Sequence, residues 1–374
     1  MTHTLKQESS PHPASRILHP RAAFTLVELL VVITIIGILA ALITVAAVGA
    51  LRTAQKTRIK AEINQIATAL DDLKNKTTAY PPNAQTAYGT STSGETEPWA
   101  GGANITSLRL QALNDLRRYM KQAFPRHQEN ESLLQMIVDC NLSGNAIGGN
   151  IPDRLPGGMT AGEALVFWLG GFSQDPKYPI SGEGGPSYPA TLGKQDPIET
   201  RHWVYPLDIT RLAPRDADNY FDDSAQGGGR YLVYPDPRDK TKSTMRRINF
   251  WQYTPSKSTQ PFIYFDTSRH TPAEYDPPAS PAVHVHAFKK IENLGGANQK
   301  ASFVNPDKFQ VLHCGIDDTW GEDLDLMAFP VYDKNKGNMA QSKFLAFPTG
   351  PFSGDIADTE VNFAAETTIE DSVK

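Results

Sequence analysis

The residues best suited to chemistry in this chain are acidic. Asp317, Asp318, Glu322, Asp323 and Asp325 crowd the run CGIDDTWGEDLD, and Gly315 and Gly321 sit at its turns. Carboxylates are hard oxygen donors of the kind that surround Ca2+, and glycine turns let backbone carbonyls point inward beside them. Asp355 and Asp358, later in the chain, would help complete the shell. The spacing is not that of an EF-hand, and the same residues equally suit a solvated acidic loop that holds no metal. A softer set is His284, His286, His313 and Cys314. Imidazole and thiolate are zinc ligands, yet His284 and His286 are also what one face of an ordinary strand presents.

Catalytic spacing is missing. The sequence contains no G-x-S-x-G, H-E-x-x-H or C-x-x-C pattern and no phosphate-binding loop, and scattered acids do not define a glycosidase pair. No enzyme activity is expected. Cys140 and Cys314 set neither a disulfide framework nor a metal cluster. They suit either a single pair outside the cytoplasm or two separate buried thiols. A net charge of -5 over 374 residues argues against a broad basic surface for nucleic acid.

One further acid stands alone. Glu28 is the single ionisable residue between Phe24 and Leu51. Leu29 to Leu51 carries no charge and as helix would run about 34 Å, enough to cross a bilayer core. A carboxylate at the end of such a segment is costly unless it is neutralised, paired or close to the headgroups. A secretory signal peptide is the competing reading, but the apolar run is too long and no A-x-A site follows it. The helical pattern also continues past the run, through Ile59, Ile63, Ile66, Leu70 and Leu73. One helix is therefore predicted from about Thr25 to Lys74. Charge does not settle its orientation, because Arg16 and Arg21 precede the span while Arg52, Lys56, Arg58 and Lys60 follow it.

The stretch RAAFTLVELLVVITIIGILAAL resembles the N-terminal processing and methylation segment of type IV pilins and type II secretion pseudopilins. The resemblance implies a prepilin peptidase cut on the cytosolic side of the membrane between Ala23 and Phe24, followed by methylation of the new amino group. Family members have Gly before the cut where this chain has Ala23. Glu28 falls at the fifth position after it, the acid that the family uses for recruitment and register in filament assembly. The resemblance further implies a leader over residues 1–23, a stem helix over 24–75 with its transmembrane half at 24–51, and an extracytoplasmic head over 76–374. The implied partners are other pseudopilin subunits, the prepilin peptidase, an inner-membrane assembly platform and, before assembly, membrane lipid.

Within the head, Pro81 and Pro82 must end the stem. Helices are predicted over 105–123, with Leu108, Leu113, Leu116, Met120 and Phe124 buried, and over Glu131 to Asp139. A third should start at Thr160, where TAGE has the form of a capping box with Glu163, and stop at Gly170-Gly171. Strands are expected at His202–Tyr205, Arg230–Tyr234, Ile248–Tyr253, Pro261–Phe265, Val283–Phe288 and Phe309–His313. Helices do not alternate with these strands, so an antiparallel sheet is expected rather than a doubly wound one. The fold class is α+β: a pilin-like long N-terminal helix packed on an antiparallel sheet, with extra helices inserted over about 105–170 and terminal sheet and loops over about 200–364. Tyr80-Pro81-Pro82, PFIYFD at 261–266, the run 308–325 and FSGDIADTEVNFA at 352–364 resemble the major pseudopilin class, in which the terminal loops bind calcium. The expected role is a structural subunit of a type II secretion-like pseudopilus. The alternative is a minor or tip subunit, or a membrane-anchored binding module.

Overall fold

The computed structural model describes residues 25–85, 96–97, 103–140, 155, 157–192, 196–214, 230–269, 274–275, 285–292, 300–320, 347, 357–364 and 368–372. It divides into two units, residues 1–52 and 53–374.

In the first unit the described chain is helical from Leu26, the start of α1, which spans Leu26–Thr77. Its large apolar side chains up to Leu51 are exposed. Both hydroxyls of this stretch turn back on the helix, Thr34 Oγ1 donating to the Leu30 carbonyl at 2.7 Å and Thr44 Oγ1 to that of Ala40 at 2.8 Å. A hydroxyl satisfied within its own helix costs little in hydrocarbon. Among the described residues α1 is the one helix long and apolar enough to cross a membrane.

In the second unit α1 becomes amphipathic. Ile59, Ile63, Ile66, Ala69, Leu70 and Leu73 form a buried stripe at helical spacing. The helix runs one turn beyond the expected Lys74. Thr77 Oγ1 still donates to the Leu73 carbonyl, and Thr78 then takes a left-handed φ of 67° while its N–H closes on Lys74. The Tyr80-Pro81-Pro82 turn is held by side chains from distant elements. Tyr264 Oη donates to the Pro81 carbonyl at 2.7 Å, Trp168 Nε1 to that of Pro82 at 2.8 Å, and Tyr80 Oη to Asp71 at 2.6 Å.

Three helices follow: α2 at Ile105–Ala123, α3 at Glu131–Ile137 and α4 at Ala161–Leu169. The first has the expected bounds, with Leu108, Leu113, Leu116 and Met120 buried and Phe124 half-buried. The second stops short of Asp139, which adopts a φ of 50° and gives its carboxylate to Arg109 at 2.7 Å and to the Gly157 N–H at 3.1 Å. In α4 every residue is buried, and Thr160 and Glu163 form the capping box. Gly170 caps its end, and Gly171 follows at a φ of 85°, where a Cβ would lie 1.7 Å from the His202 carbonyl oxygen.

The strands form several small antiparallel sheets rather than one. Arg230–Pro235 and Ser187–Pro189 flank Met245–Phe250, with Leu232 opposite Ile248. Ile263–Asp266 and Glu360–Val361 flank Phe309–His313, with Val311 opposite Tyr264 and His313 opposite Glu360. The long helix packed on antiparallel strands is the expected α+β architecture. His202–Tyr205 is not a strand, because the N–H groups of Val204 and Tyr205 both donate to the Leu169 carbonyl and so finish α4. The expected Ile248–Tyr253 strand breaks at Trp251, whose indole N–H reaches Asp196 at 2.9 Å. Of Val283–Phe288 only Val285–His286 is a described strand. Phe288 instead bonds through both backbone groups to the Gln310 side chain, at 2.7 and 2.8 Å. One large core joins the α1 stripe to α2, α3, α4 and the first sheet, and a smaller one lies around Phe265, Leu312, Val361 and Ile369.

Candidate functional site

Of the residues assigned to processing and assembly, Ala23 and Phe24 lie outside the described residues, and Glu28 lies within them. Glu28 is exposed and is the third residue of α1. Its Oε2 accepts from the Thr25 N–H at 2.8 Å and from Thr25 Oγ1 at 2.9 Å, and its own N–H donates to Thr25 Oγ1 at 3.1 Å. This reciprocal pattern is a capping box, which satisfies two of the donors a helix start leaves open. The signal was present in the sequence as T-x-x-E, hidden within a run whose hydrophobicity dominates it.

A second site lies within the second unit. Lys56 and Lys60, one turn apart on α1, grip the C-terminal segment. Lys56 Nζ pairs with Asp358 at 2.8 Å, while Lys60 Nζ donates to the carbonyls of Val361 at 2.6 Å and Ala364 at 2.7 Å. Burial works against the Lys56 charge, but the hydrogen bond and charge of Asp358 outweigh it and hold the ammonium above its ordinary pKa. Between these contacts sits Glu360. It is fully buried, and neither carboxylate oxygen has a hydrogen-bond partner. Burial pushes its pKa up to about 8, against the pull of Lys60 and Lys56. Replacing Lys60 by Met should loosen this segment. We expect a loss of about 1–2 kcal/mol in denaturant unfolding, with faster amide exchange at Asn362, whose N–H donates to the Val311 carbonyl.

The proposed calcium ligands are divided. Glu322, Asp323, Asp325 and Asp355 lie outside the described residues, whereas Asp317, Asp318 and Asp358 are described. The structure does bring the two loops together, since a Cβ on Gly315 would lie 2.6 Å from the Asp358 carbonyl oxygen. Asp358, however, is held by Lys56. Both oxygens of Asp318 accept from the 258–260 turn: Ser258 Oγ and the Gln260 N–H on one, the Thr259 N–H at 2.7 Å and Thr259 Oγ1 on the other. These hydrogen bonds outweigh burial and keep Asp318 below its ordinary pKa. Asp318 and Asp358, two of the described candidates, are thus engaged by protein donors in this structure.

The softer ligand set is likewise divided. His284 lies outside the described residues, and of His286 only the backbone is described. His313, Cys314 and Asp318 bring ligand atoms within 4.8 Å of one another. Burial pushes His313 down to about 4, so the ring is neutral at pH 7. Its Nδ1 accepts from the Gly315 N–H at 3.1 Å, so the proton sits on Nε2, which faces the Gln260 carbonyl at 3.2 Å. That tautomer leaves neither nitrogen open to a metal. It also disarms the nearby Ser258, 3.0 Å from Nε2, because a protonated nitrogen cannot take the serine proton. Burial raises the Cys314 thiol well above its ordinary value, and both Cys140 and Cys314 are free and buried. The cluster is a hydrogen-bonded hub tying the 258–260 turn to the end of the Phe309–His313 strand.

Residues 18–44 match the prokaryotic N-terminal methylation motif. The matched segment contains the Ala23-Phe24 bond, Thr25, Glu28 and the first part of α1. It supports a prepilin-like chain. No curated protein and no solved structure matches the chain.

Proposed function

We propose that this protein is a structural subunit of a type II secretion-like pseudopilus. In this reading a prepilin peptidase cuts between Ala23 and Phe24, the new amino group is methylated, and the chain waits in the inner membrane with its head in the periplasm. Assembly moves the apolar half of α1 from lipid into a bundle of neighbouring stems, where a head-to-tail interface repeated about an open axis makes a fibre. The assembly platform supplies the force. The observation that carries the reading is the exposed, internally satisfied apolar helix with one acid at its start, inside the matched methylation segment. Intact-mass measurement of the membrane fraction tests it. The mature chain should lack residues 1–23 and carry one methyl group on Phe24, and retention of the leader would defeat the proposal.

A second reading, a minor or tip subunit or an anchored binding module, draws on the size of the head, whose unit runs from Thr53 to Lys374 and contains α2, α3 and α4. Copy number in sheared filaments separates the two, with many copies per fibre favouring the shaft and one per end favouring the tip.

A further inference from the structure

The polar side of α2 borders a cleft separate from every contact described above. Gln111, Asn114, Asp115 and Arg118 follow helical spacing and so share that side. Across from them stand Ser268 and Arg269, in the turn after the Ile263–Asp266 strand. The space between is about 570 Å³, the size of a small-molecule site.

The turn is fixed from below. The Asp266 N–H donates to Asn83 Oδ1 at 2.7 Å, and the buried Asp266 carboxylate accepts from the Ser268 N–H at 3.0 Å and from Arg269 Nη1. One nitrogen of Arg269 is thereby spent, and the other two make no bond to a described residue. The exposed Arg118 guanidinium stands 3.8 Å from Asp115, beyond hydrogen-bond length. Asn114 Oδ1 accepts from Arg117 at 3.2 Å, which leaves its amide nitrogen to donate. The walls are therefore rich in unspent donors, with one guanidinium held in place and one able to swing, as a carboxylate clamp requires. Asp115 and Asp266 balance the two arginines, so a single carboxylate suits the cleft better than a multiply charged phosphate. The side-chain amides of Gln111 and Asn114 offer donor and acceptor together, the complement of a peptide group. Leu110 lines the same cleft. Among the described residues after Leu51, it and Ile209 are the large hydrophobics left exposed, and it gives an apolar seat beside the donors.

We infer that this cleft binds the carboxylate of an N-acyl amino acid with an apolar side chain: Arg269 and Arg118 take the carboxylate, the Gln111 and Asn114 amides take the acyl amide, and Leu110 takes the side chain. Two sources present that chemistry, a free small acid and the C-terminus of a polypeptide. The inference does not depend on how the stem assembles.

Calorimetric titration of the full chain in detergent micelles tests it, with N-acetyl-leucine as the probe. Binding should be saturable and of about millimolar strength, and about tenfold weaker for N-acetyl-leucinamide, which lacks the carboxylate. Arg269→Gln would strip the buried Asp266 of its partner, so the informative variants are those at exposed positions. Arg118→Gln should weaken binding about tenfold and Leu110→Ser about fivefold, each with the parental unfolding transition. No saturable binding up to about 20 mM, equal binding of the amide, or parental affinity in either variant overturns the inference. Acetyl-Gly-Gly-Leu separates the two sources. Tighter binding than N-acetyl-leucine assigns a polypeptide C-terminus, equal or weaker binding assigns a free acid, and either result upholds the site.

Discussion

Glu360→Gln is expected to stabilise the head, by about 2–3 kcal/mol at pH 7. The carboxyl is fully buried with both oxygens unpartnered, and its pKa is pushed up to about 8 from an ordinary 4.5. An acid whose folded pKa is raised costs the folded state nothing while it is protonated in both states, and penalises it once the unfolded chain can ionise. Below pH 4.5 it is protonated in both states and contributes nothing. Between 4.5 and about 8 the unfolded chain gives up the proton more readily, so stability falls as pH rises, and above about 8 the loss is constant. Glutamine has no charge to lose, so the variant should match the parent near pH 4.5 and separate from it progressively up to pH 8. Guanidinium unfolding at pH 5, 7 and 9 measures this, and a constant difference between the two proteins would mean that Glu360 does not titrate as described.

Glu163→Ala is expected to cost about 3–5 kcal/mol, the largest loss we anticipate from one substitution. Glu163 is fully buried, closes the capping box of α4 through the Thr160 N–H at 2.9 Å, and pairs with Arg230 at 3.2 Å. Its removal takes the balancing carboxylate from a buried guanidinium that would keep the Gly158 carbonyl at 2.6 Å. Breaking one side of such a pair costs more than replacing both sides with apolar groups. The double variant Glu163→Leu with Arg230→Met should therefore be more stable than Glu163→Ala, and Glu163→Gln, which keeps an acceptor for Thr160 but not the charge opposite Arg230, should fall below the parent and above Glu163→Ala. Equilibrium unfolding of the four proteins tests this ordering, and a double variant no better than the single one would refute the pairing argument.

The parts of the fold legible in the sequence are those governed by near neighbours. The α2 bounds follow from apolar spacing alone, and the α4 start follows from Thr160 and Glu163. His202–Tyr205 looked like a strand because it is aromatic and β-branched, but its backbone is claimed by the end of α4, which local composition does not reveal. The break at Trp251 likewise depends on Asp196, far away in sequence. At the candidate site, Glu28 was visible as a lone acid, and Thr25 was readable from its spacing. Lys56 and Lys60 registered only as charges after the span, because their partners at 358–364 are brought to them by tertiary packing. Glu360 sat unnoticed in a polar stretch, since burial of both its oxygens follows from the Lys60 grip and the pairing with His313.

The grip of Lys60 on Val361 and Ala364 joins residues 301 and 304 positions apart. Translated at roughly 5–20 residues per second, the lysine emerges about 15–60 s before its acceptors exist. Throughout that interval the chain already displays its apolar helix, while the strand that closes the smaller sheet has not been made. Formation of the apolar helix and closure of the C-terminal segment are thus separated by the order of synthesis, and a truncation that removes the last fifteen or so residues would take the Val361 and Ala364 carbonyls from Lys60 while leaving the apolar stripe of α1 in the large core.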